Sequence, residues 1–504
     1  MSVSLRRAAL GEAALCAGLG AVQTLAFEHT AAWPLPLLTL AVLVGWLDGA
    51  APRRAALLGL GYGTGWLCAG TWWLFISLHR YGELPAVMAA AAVLLLCGGL
   101  SLYLAAACAA YARWRRGTAW DAVLFAAVWL LAELARGVIF TGFPWVAAGY
   151  SQVDAPLALL APWLGVYGMG AVLAAAAVAL VQALRSRGRQ WAGAAGVIVL
   201  VAAPALAPRD FTQAAGEMSV LLLQTNVKQD EKFAAERMPE ALAWTGRELI
   251  AANADLVVGP ETTVPLLPSQ LDEMAPGYWQ ALLAHFAQPG RAALVGLPLG
   301  DFEKGYTNSV AGLSAAPMYR YDKTHLVPFG EFSPTGFRWF TEMMNIPLGD
   351  FNRGLANPPS FEAHGQRVAP NICYEDLFGE ELARRFIDAA EAPTVFANVS
   401  NLGWFGDTSV IPQHMHISRL RTLEFQRPML RATNTGPTAV IDHQGRVTAQ
   451  MVPYTRGVLT GRVQGRIGIT PFAWWSARAS LWPLLLLACA TLLAFVLVKK
   501  PAGA

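Results

Sequence analysis

The sequence predicts a polytopic α-helical membrane bundle that carries one large α/β domain outside the lipid. Three observations lead there. Apolar runs long enough to cross a bilayer crowd the first two-fifths of the chain and recur once near its end. The segment between them is polar and alternates strand-like with helical patterns. Arginines and lysines occupy every second loop of the apolar part. With 55% hydrophobic and 14% charged residues among 504, the chain is too apolar for one soluble globule. A net charge of +3 gives no general electrostatic case for nucleic acid as a partner.

The apolar runs lie at 8–27, 34–50, 55–77, 84–111, 120–140, 157–184 and 191–207, with a last one at 481–498. That makes about eight spans, seven of them before the polar region. The first run is continuous with its successors and lacks a small-residue cleavage site, so it is expected to remain as an uncleaved span. Basic residues cluster before the first run (Arg6, Arg7), after the second (Arg53, Arg54), after the fourth (Arg113, Arg115, Arg116), after the sixth (Arg185, Arg187, Arg189) and after the last (Lys499, Lys500). The positive-inside rule then puts both termini in the cytoplasm and residues 209–471 on the far side, which in a bacterial inner membrane is the periplasm. The expected domains are a membrane domain over 1–208, the external α/β domain over 209–471, and a C-terminal helix with a short tail over 472–504.

Within the membrane half, Glu133 and Arg136 share a helix face, either as a structural ion pair or as a functional group in the membrane. The loop Phe-Thr-Gly-Phe-Pro-Trp at 140–145 places aromatics at the outer interface, to anchor the bundle or to line a route for lipid.

In the polar region, strand-like runs fall at 219–224, 256–258, 292–297, 309–313, 318–321, 368–372, 394–399, 429–433, 438–441 and 458–461. Helical patterns fall at 232–253, 278–287, 378–388 and 414–427. No phosphate-cradling glycine loop and no metal-spaced cysteine and histidine set stands out. His414 and His416 are two apart on a helical pattern and do not share a face, which argues against a metal.

Three stretches carry chemistry. Asp-Leu-Val-Val-Gly-Pro-Glu ends at Glu261, an apolar strand delivering a carboxylate. Tyr-Asp-Lys-Thr-His-Leu-Val-Pro-Phe-Gly-Glu runs from Tyr321 through Lys323 to Glu331. Val-Ala-Pro-Asn-Ile-Cys-Tyr-Glu-Asp runs from Val368 to Asp376 and predicts a short strand ending at Cys373, with a turn or helix after it. Five of the six cysteines lie in the apolar runs, so Cys373 has no disulfide partner in its own domain. It is either a small buried hydrophobe or a nucleophile. A nucleophilic thiol needs a base to take its proton and a fixed cation where negative charge develops on a tetrahedral intermediate. Glu261 and Lys323 suit those roles, but taken singly each more often serves an ordinary purpose, Glu261 as a turn cap and Lys323 as a surface charge.

Gly-Pro-Glu261, the Lys323-to-Glu331 run and Asn-Ile-Cys373-Tyr-Glu375 together resemble the Glu-Lys-Cys signature of the nitrilase, or carbon–nitrogen hydrolase, superfamily. Joined to seven preceding spans and one following, the chain resembles the apolipoprotein N-acyltransferase family over essentially its whole length. The runs Asn-Val-Ser-Asn-Leu-Gly-Trp-Phe-Gly-Asp at 398–407 and Arg-Pro-Met-Leu-Arg-Ala-Thr-Asn-Thr-Gly at 427–436 add to the match. It departs at Phe233, where many members carry tryptophan, and at Leu402, where many carry aspartate.

The resemblance implies a nitrilase-like αββα sandwich and a ping-pong acyl transfer with no cofactor and no metal. The donor would be the sn-1 ester of a phospholipid, typically phosphatidylethanolamine, and the acceptor the free amine of a diacylglyceryl-cysteine on an apolipoprotein. Cys373 would form the thioester, Glu261 would act as base and then acid, Lys323 would stabilise the oxyanion, and Glu331, Tyr374 and Glu375 would support them. After Glu331, the run from Gly336 to Asn345 is rich in aromatics and methionine. Its Trp339, Phe340 and Met343 either pack in the domain or form a lid that dips into the outer leaflet. Two other classes compete: a membrane-tethered amidase that passes its acyl group to water, and a transporter or scaffold bearing a degenerate catalytic domain. Loss of Glu261, Lys323 or Cys373 would mark the latter, and all three are present.

Overall fold

The computed structural model of the chain describes residues 3–185, 195, 209–339 and 350–498. The chain divides into two units, one made of Met1–Phe75, Pro85–Asp210 and Ala479–Ala504, the other of Ile76–Leu84 and Phe211–Arg478.

In the first unit, five helical stretches among the described residues are long and apolar enough to cross a membrane: Leu10–Phe27, Thr30–Leu47, Ala86–Trp114, Asp121–Thr141 and Pro156–Arg185. A sixth is added if Trp482–Leu497 is counted with the helix before it. The expected run at 55–77 folds as the helix Pro52–Thr71, but its arginines and glycines make it less apolar than its neighbours. The glycines have a packing reason. A Cβ at Gly61 would stand 2.3 Å from the carbonyl oxygen of Ala13, and one at Gly65 would stand 1.9 Å from that of Ala17. Small residues four apart let two helix backbones touch, so this face is shaped for a neighbouring helix rather than for lipid. The expected span at 191–207 lies outside the described residues.

Glu133 and Arg136 do form a buried ion pair, 3.4 Å apart. Arg136 Nη1 also donates to the carbonyls of Phe143 (2.7 Å) and Trp145 (2.8 Å), and Glu133 Oε1 accepts from the Ala148 amide (2.8 Å). The pair therefore staples the turn that leaves its helix. In the loop that follows, Phe140 is exposed, whereas Trp145 is buried edge-on against Trp73 at 4.9 Å.

The second unit contains two six-stranded sheets among the described residues. In chain order the strands are β1 (Thr212–Gln224), β2 (Leu256–Val258), β3 (Ala293–Asp301), β4 (Gly305–Leu313), β5 (Tyr319–Asp322), β6 (Phe361–Ala363), β7 (Gln366–Ile372), β8 (Val395–Ser400), β9 (Met429–Thr433), β10 (Ala439–Ile441), β11 (Val447–Gln450) and β12 (Gly457–Gly468). One sheet has the order β12-β1-β2-β3-β4-β5 and the other β11-β10-β9-β8-β7-β6. Each is parallel at its centre, where β1, β2 and β3 pair in one and β7, β8 and β9 in the other.

The sheets pack face to face. Val220, Leu222 and Val310 of the first meet Ile372, Val399 and Leu430 of the second in one shared core. Each such side chain, fully withdrawn from water, stabilises the fold by roughly 1.5–3 kcal/mol. The outer face of the first sheet is covered by the helices Met238–Ala251 and Tyr278–Phe286, and that of the second by Val410–Phe425 and Pro471–Ala479. The result is the αββα sandwich that the resemblance implies.

Most strands fall within a few residues of their sequence expectation, and the differences have local causes. β6 and β11 were not expected because three or four residues at a sheet edge show little periodicity. The helix expected from residue 232 begins at Met238, with Pro239 in its first turn, where a missing N–H costs nothing. Lys232 is thereby left in a turn.

The segment Ile76–Leu84 belongs to the second unit, although the residues on either side of it in the chain belong to the first. Tyr81 sets its ring edge-on to Trp404 at 5.6 Å, and Arg80 pairs with Asp230 at 3.4 Å.

Candidate active site

β7 delivers Cys373. Pro370 is tolerated in this strand because β6 pairs only with Gln366–Val368, so the missing N–H breaks no bond on that side. At Cys373 the chain turns into a short 3-10 helix, Cys373–Leu377, with φ +51 at the cysteine. A left-handed conformation costs a residue with a Cβ about 1–3 kcal/mol and needs surrounding structure to hold it. Part of that support is the Cys373 carbonyl, which accepts from Asn398 Nδ2 at 3.3 Å.

Glu375 provides the rest of the frame. Its buried carboxylate accepts from the amides of Ile372 (2.7 Å), Thr324 (2.7 Å) and His325 (3.1 Å) and from the Tyr321 hydroxyl. One side chain therefore ties the end of β7 to the chain just after Lys323. Burial raises its pKa above the usual carboxylate range, opposed by these donors and by the Lys323 charge. Tyr374 is buried with its ring edge-on to Phe378 at 5.2 Å and tilted against His325 at 5.6 Å.

Lys323 follows β5 and is 1% exposed. Its ammonium donates to Glu331 Oε1 at 2.9 Å and lies 3.6 Å from Glu261 Oε1. Asn308 on β4 bridges the same two oxygens, its Nδ2 donating to Glu261 at 2.7 Å and to Glu331 at 2.8 Å. The Asn401 amide donates to Glu261 Oε2 at 2.9 Å, and the Val327 amide to Glu331 Oε2 at 2.8 Å. Behind Glu261, the buried ammonium of Lys232 donates to its carbonyl at 3.0 Å. Every carboxylate oxygen here has a partner, which fixes both side chains before any substrate arrives.

The electrostatics define a resting state. Burial works against the Lys323 charge, but Glu331 and Glu261 outweigh it and hold the ammonium well above its usual pKa. Burial raises the Cys373 thiol, Glu261 raises it further, and Lys323 offsets only part of this. Burial also pulls Lys232 down to about 8, opposed by Glu261 and Cys373. The site thus holds a cation beside a thiol that keeps its proton.

This has a measurable consequence. Because the thiol is raised above the ordinary value of 9.0, its thiolate fraction at neutral pH falls below that of free cysteine. Alkylation of Cys373 by iodoacetamide at pH 7.5 is expected to run more than about 10-fold slower than that of free cysteine and to climb without a plateau through pH 9. A plateau below pH 8 would show a preformed thiolate.

Glu261, Lys323, Glu331 and Cys373 therefore meet, with Tyr374 and Glu375 directly behind the cysteine. Trp339 is 61% exposed, whereas Phe340 and Met343 lie outside the described residues. Asn308, Asn401 and Lys232 were not expected from the sequence. The only signal for Asn308 was the polar trio Thr307-Asn308-Ser309 interrupting an otherwise apolar strand. Both ring nitrogens of His414 are engaged with protein groups, so it is not poised as a metal ligand.

Comparison with known proteins bears on both halves. The model of the apolipoprotein N-acyltransferase N-terminal domain matches residues 19–179, and that of the carbon-nitrogen hydrolase matches residues 178–472. An apolipoprotein N-acyltransferase of Verminephrobacter eiseniae (strain EF01-2) is 52% identical over 504 residues, covering 92% of each chain. This chain belongs to the apolipoprotein N-acyltransferase family. The apolipoprotein N-acyltransferase of Ralstonia nicotianae (strain ATCC BAA-1114 / GMI1000) is 46% identical over 501 residues, covering 98% of this chain and 94% of its own. That of Bordetella bronchiseptica (strain ATCC BAA-588 / NCTC 13252 / RB50) is 41% identical over 528 residues, covering 94% and 95%. In this apolipoprotein N-acyltransferase family member, the carbon-nitrogen hydrolase match takes in Glu261, Lys323, Glu331 and Cys373 together.

Proposed function

We propose that this acyltransferase of lipoprotein maturation moves the sn-1 acyl chain of a phospholipid, typically phosphatidylethanolamine, to the N-terminal amine of diacylglyceryl-cysteine on an apolipoprotein, in two half-reactions through a Cys373 thioester. The observation that carries this reading is the meeting of a half-buried thiol with a buried cation and an oriented carboxylate.

In the first half-reaction, Glu261 takes the Cys373 proton as Sγ attacks the ester carbonyl. Negative charge develops on the carbonyl oxygen and is met by Lys323, which Glu331 holds in place. The intermediate collapses with cleavage of the ester C–O bond. Glu261 returns the proton to the departing glycerol oxygen, leaving a thioester and a lysophospholipid. In the second, the acceptor amine attacks the thioester carbonyl, Glu261 takes its proton, and as the C–S bond breaks Glu261 returns that proton to Cys373 Sγ. Amide and thiol are the products. Incubating the solubilised protein with phospholipid and no acceptor tests the first half: the intact mass should rise by one acyl chain while one lysophospholipid is released per protein. Continuous fatty acid release would instead mark a hydrolase.

The basic loops support eight spans in a bacterial inner membrane, with both termini cytoplasmic and the catalytic domain, residues 209–471, in the periplasm. In this setting the thioester waits beside acyl chains rather than bulk water, which suits an intermediate reserved for an amine.

The segment after Glu331 completes the proposal as a lipid-facing lid. Phe337 and Trp339 are exposed, and Phe337 sets its ring edge-on to Phe329 at 5.6 Å, which ties the segment's start to the loop holding Glu331. Replacing Trp339, Phe340 and Met343 with serine removes lipid contact worth roughly 1.5–3 kcal/mol per fully buried large side chain. The triple variant is expected to fold and to keep a titratable Cys373, yet to form acyl-enzyme from bilayer phospholipid at least about 10-fold more slowly. Parallel loss of thiol labelling and acylation, with early proteolysis of the domain, would reject the lid in favour of core packing.

A further inference from the structure

Behind the nucleophile lies a buried polar network that the mechanism above leaves unused. Asp376, His414, Ser418 and Arg431 are each 0% exposed. Asp376 and His414 approach to 2.9 Å through Oδ1 and Nε2, and Ser418 donates its hydroxyl to Asp376 Oδ2. Arg431 donates from Nη1 to Ser418 Oγ at 2.7 Å and from Nη2 to His414 Nδ1 at 2.8 Å. The same His414 Nε2 lies 3.2 Å from the Cys373 carbonyl oxygen.

These partners decide the form of the imidazole. A guanidinium only donates, so Nδ1 must be the acceptor and carries no proton. The proton is then on Nε2, which donates to both Asp376 Oδ1 and the Cys373 carbonyl. A doubly protonated ring would turn an N–H toward Arg431. Burial and the Arg431 charge both lower the imidazole pKa, opposed by Asp376, in keeping with a neutral ring.

We propose that His414, as the neutral Nε2–H tautomer, is a positioning residue for the nucleophile. Together with Asn398 it grips the Cys373 carbonyl and keeps this residue left-handed at φ +51, the conformation that sets the direction of Sγ. Asp376 and Arg431 have the supporting task of fixing the ring and its tautomer. The inference rests on Cys373 being the acylated residue, which the adduct on the unmodified protein establishes separately.

The test compares two substitutions in the full-length protein. Glutamine places an amide N–H the same number of bonds from Cα as Nε2. Asparagine reaches only as far as Nδ1. His414→Gln is expected to form acyl-enzyme within about 10-fold of the unmodified rate, and His414→Asn at least about 100-fold more slowly, with the phospholipid KM of each unchanged within about 2-fold. Rates are normalised to Cys373 titrated by a small thiol reagent in the same preparation, so that misfolded protein does not count. Equal losses in the two variants, or losses that vanish on normalisation, overturn the proposal, because a merely structural role does not distinguish where the N–H sits. If neither variant accumulates, Asn398→Ser removes the other donor to the same carbonyl. A rate about 10-fold lower at unchanged KM is then expected, and an unchanged rate overturns the proposal. No adduct on the unmodified protein would instead reject Cys373 as the nucleophile.

Discussion

Cys373→Ala is expected to abolish the acyl adduct entirely. Of the six cysteines, Cys373 alone sits in the catalytic unit, and it is the one on which the charges of Glu261, Lys323 and Glu331 act together. Protein incubated with phospholipid and no acceptor should carry one acyl chain, removable by neutral hydroxylamine, as thioesters are and amides are not. The alanine variant should carry none and should release no lysophospholipid. Removing the thiol leaves a small space beside a core that is otherwise intact, so the cost in stability should stay near about 1 kcal/mol. A hydroxylamine-sensitive adduct that persists in Cys373→Ala, or that maps elsewhere in the unmodified protein, would place the nucleophile on another residue.

Glu261→Gln and Lys323→Ala are each expected to slow acyl-enzyme formation by at least about 100-fold. Their effects on the thiol itself should have opposite signs. Glu261 raises the Cys373 pKa, so neutralising it should make the thiol easier to ionise and speed alkylation by iodoacetamide even as acylation fails. Lys323 lowers that pKa, so its removal should slow alkylation and acylation together. Lys323→Ala carries a further cost, because Glu261 and Glu331 then face one another across Asn308 with no cation between them. Breaking a buried pair in this way typically costs about 3–5 kcal/mol. A Lys323→Ala protein that acylates at near the normal rate would remove the lysine from the oxyanion role.

Much of this was legible in the sequence because the signals were of the strong kinds. Long apolar runs and apolar strands with sharp ends set the two-part architecture, and strand ends carrying Glu261 and Cys373 pointed at the chemistry. The groups that orient the carboxylates were not legible. Asn308 and Asn401 act through one amide each, and Lys232 through a bond to a backbone carbonyl, all supplied from elements far away in the sequence. Nothing local distinguishes such a residue from a polar group on an ordinary turn. The helix Pro52–Thr71 was legible as a helix, but its glycines reveal their purpose only against Ala13 and Ala17. The burial of Trp145 was not legible for a related reason: it depends on Trp73, a partner far away in the sequence.

The catalytic unit is not one contiguous piece of gene. A fragment cut to begin at Phe211 would encode Glu261, Lys323 and Cys373 but leave Ile76–Leu84 behind. With it would go the ring packed on Trp404 and the charge paired with Asp230. Those two residues stand next to the loops that orient the base, since Asn401 holds the Glu261 carboxylate and donates from its side chain to Gln229 Oε1 at 2.8 Å, while Lys232 holds the Glu261 backbone. Exchange of catalytic domains between relatives by a single splice would therefore join one parent's machinery to the other parent's brace. A faithful transplant needs a second, small graft from between the early membrane helices.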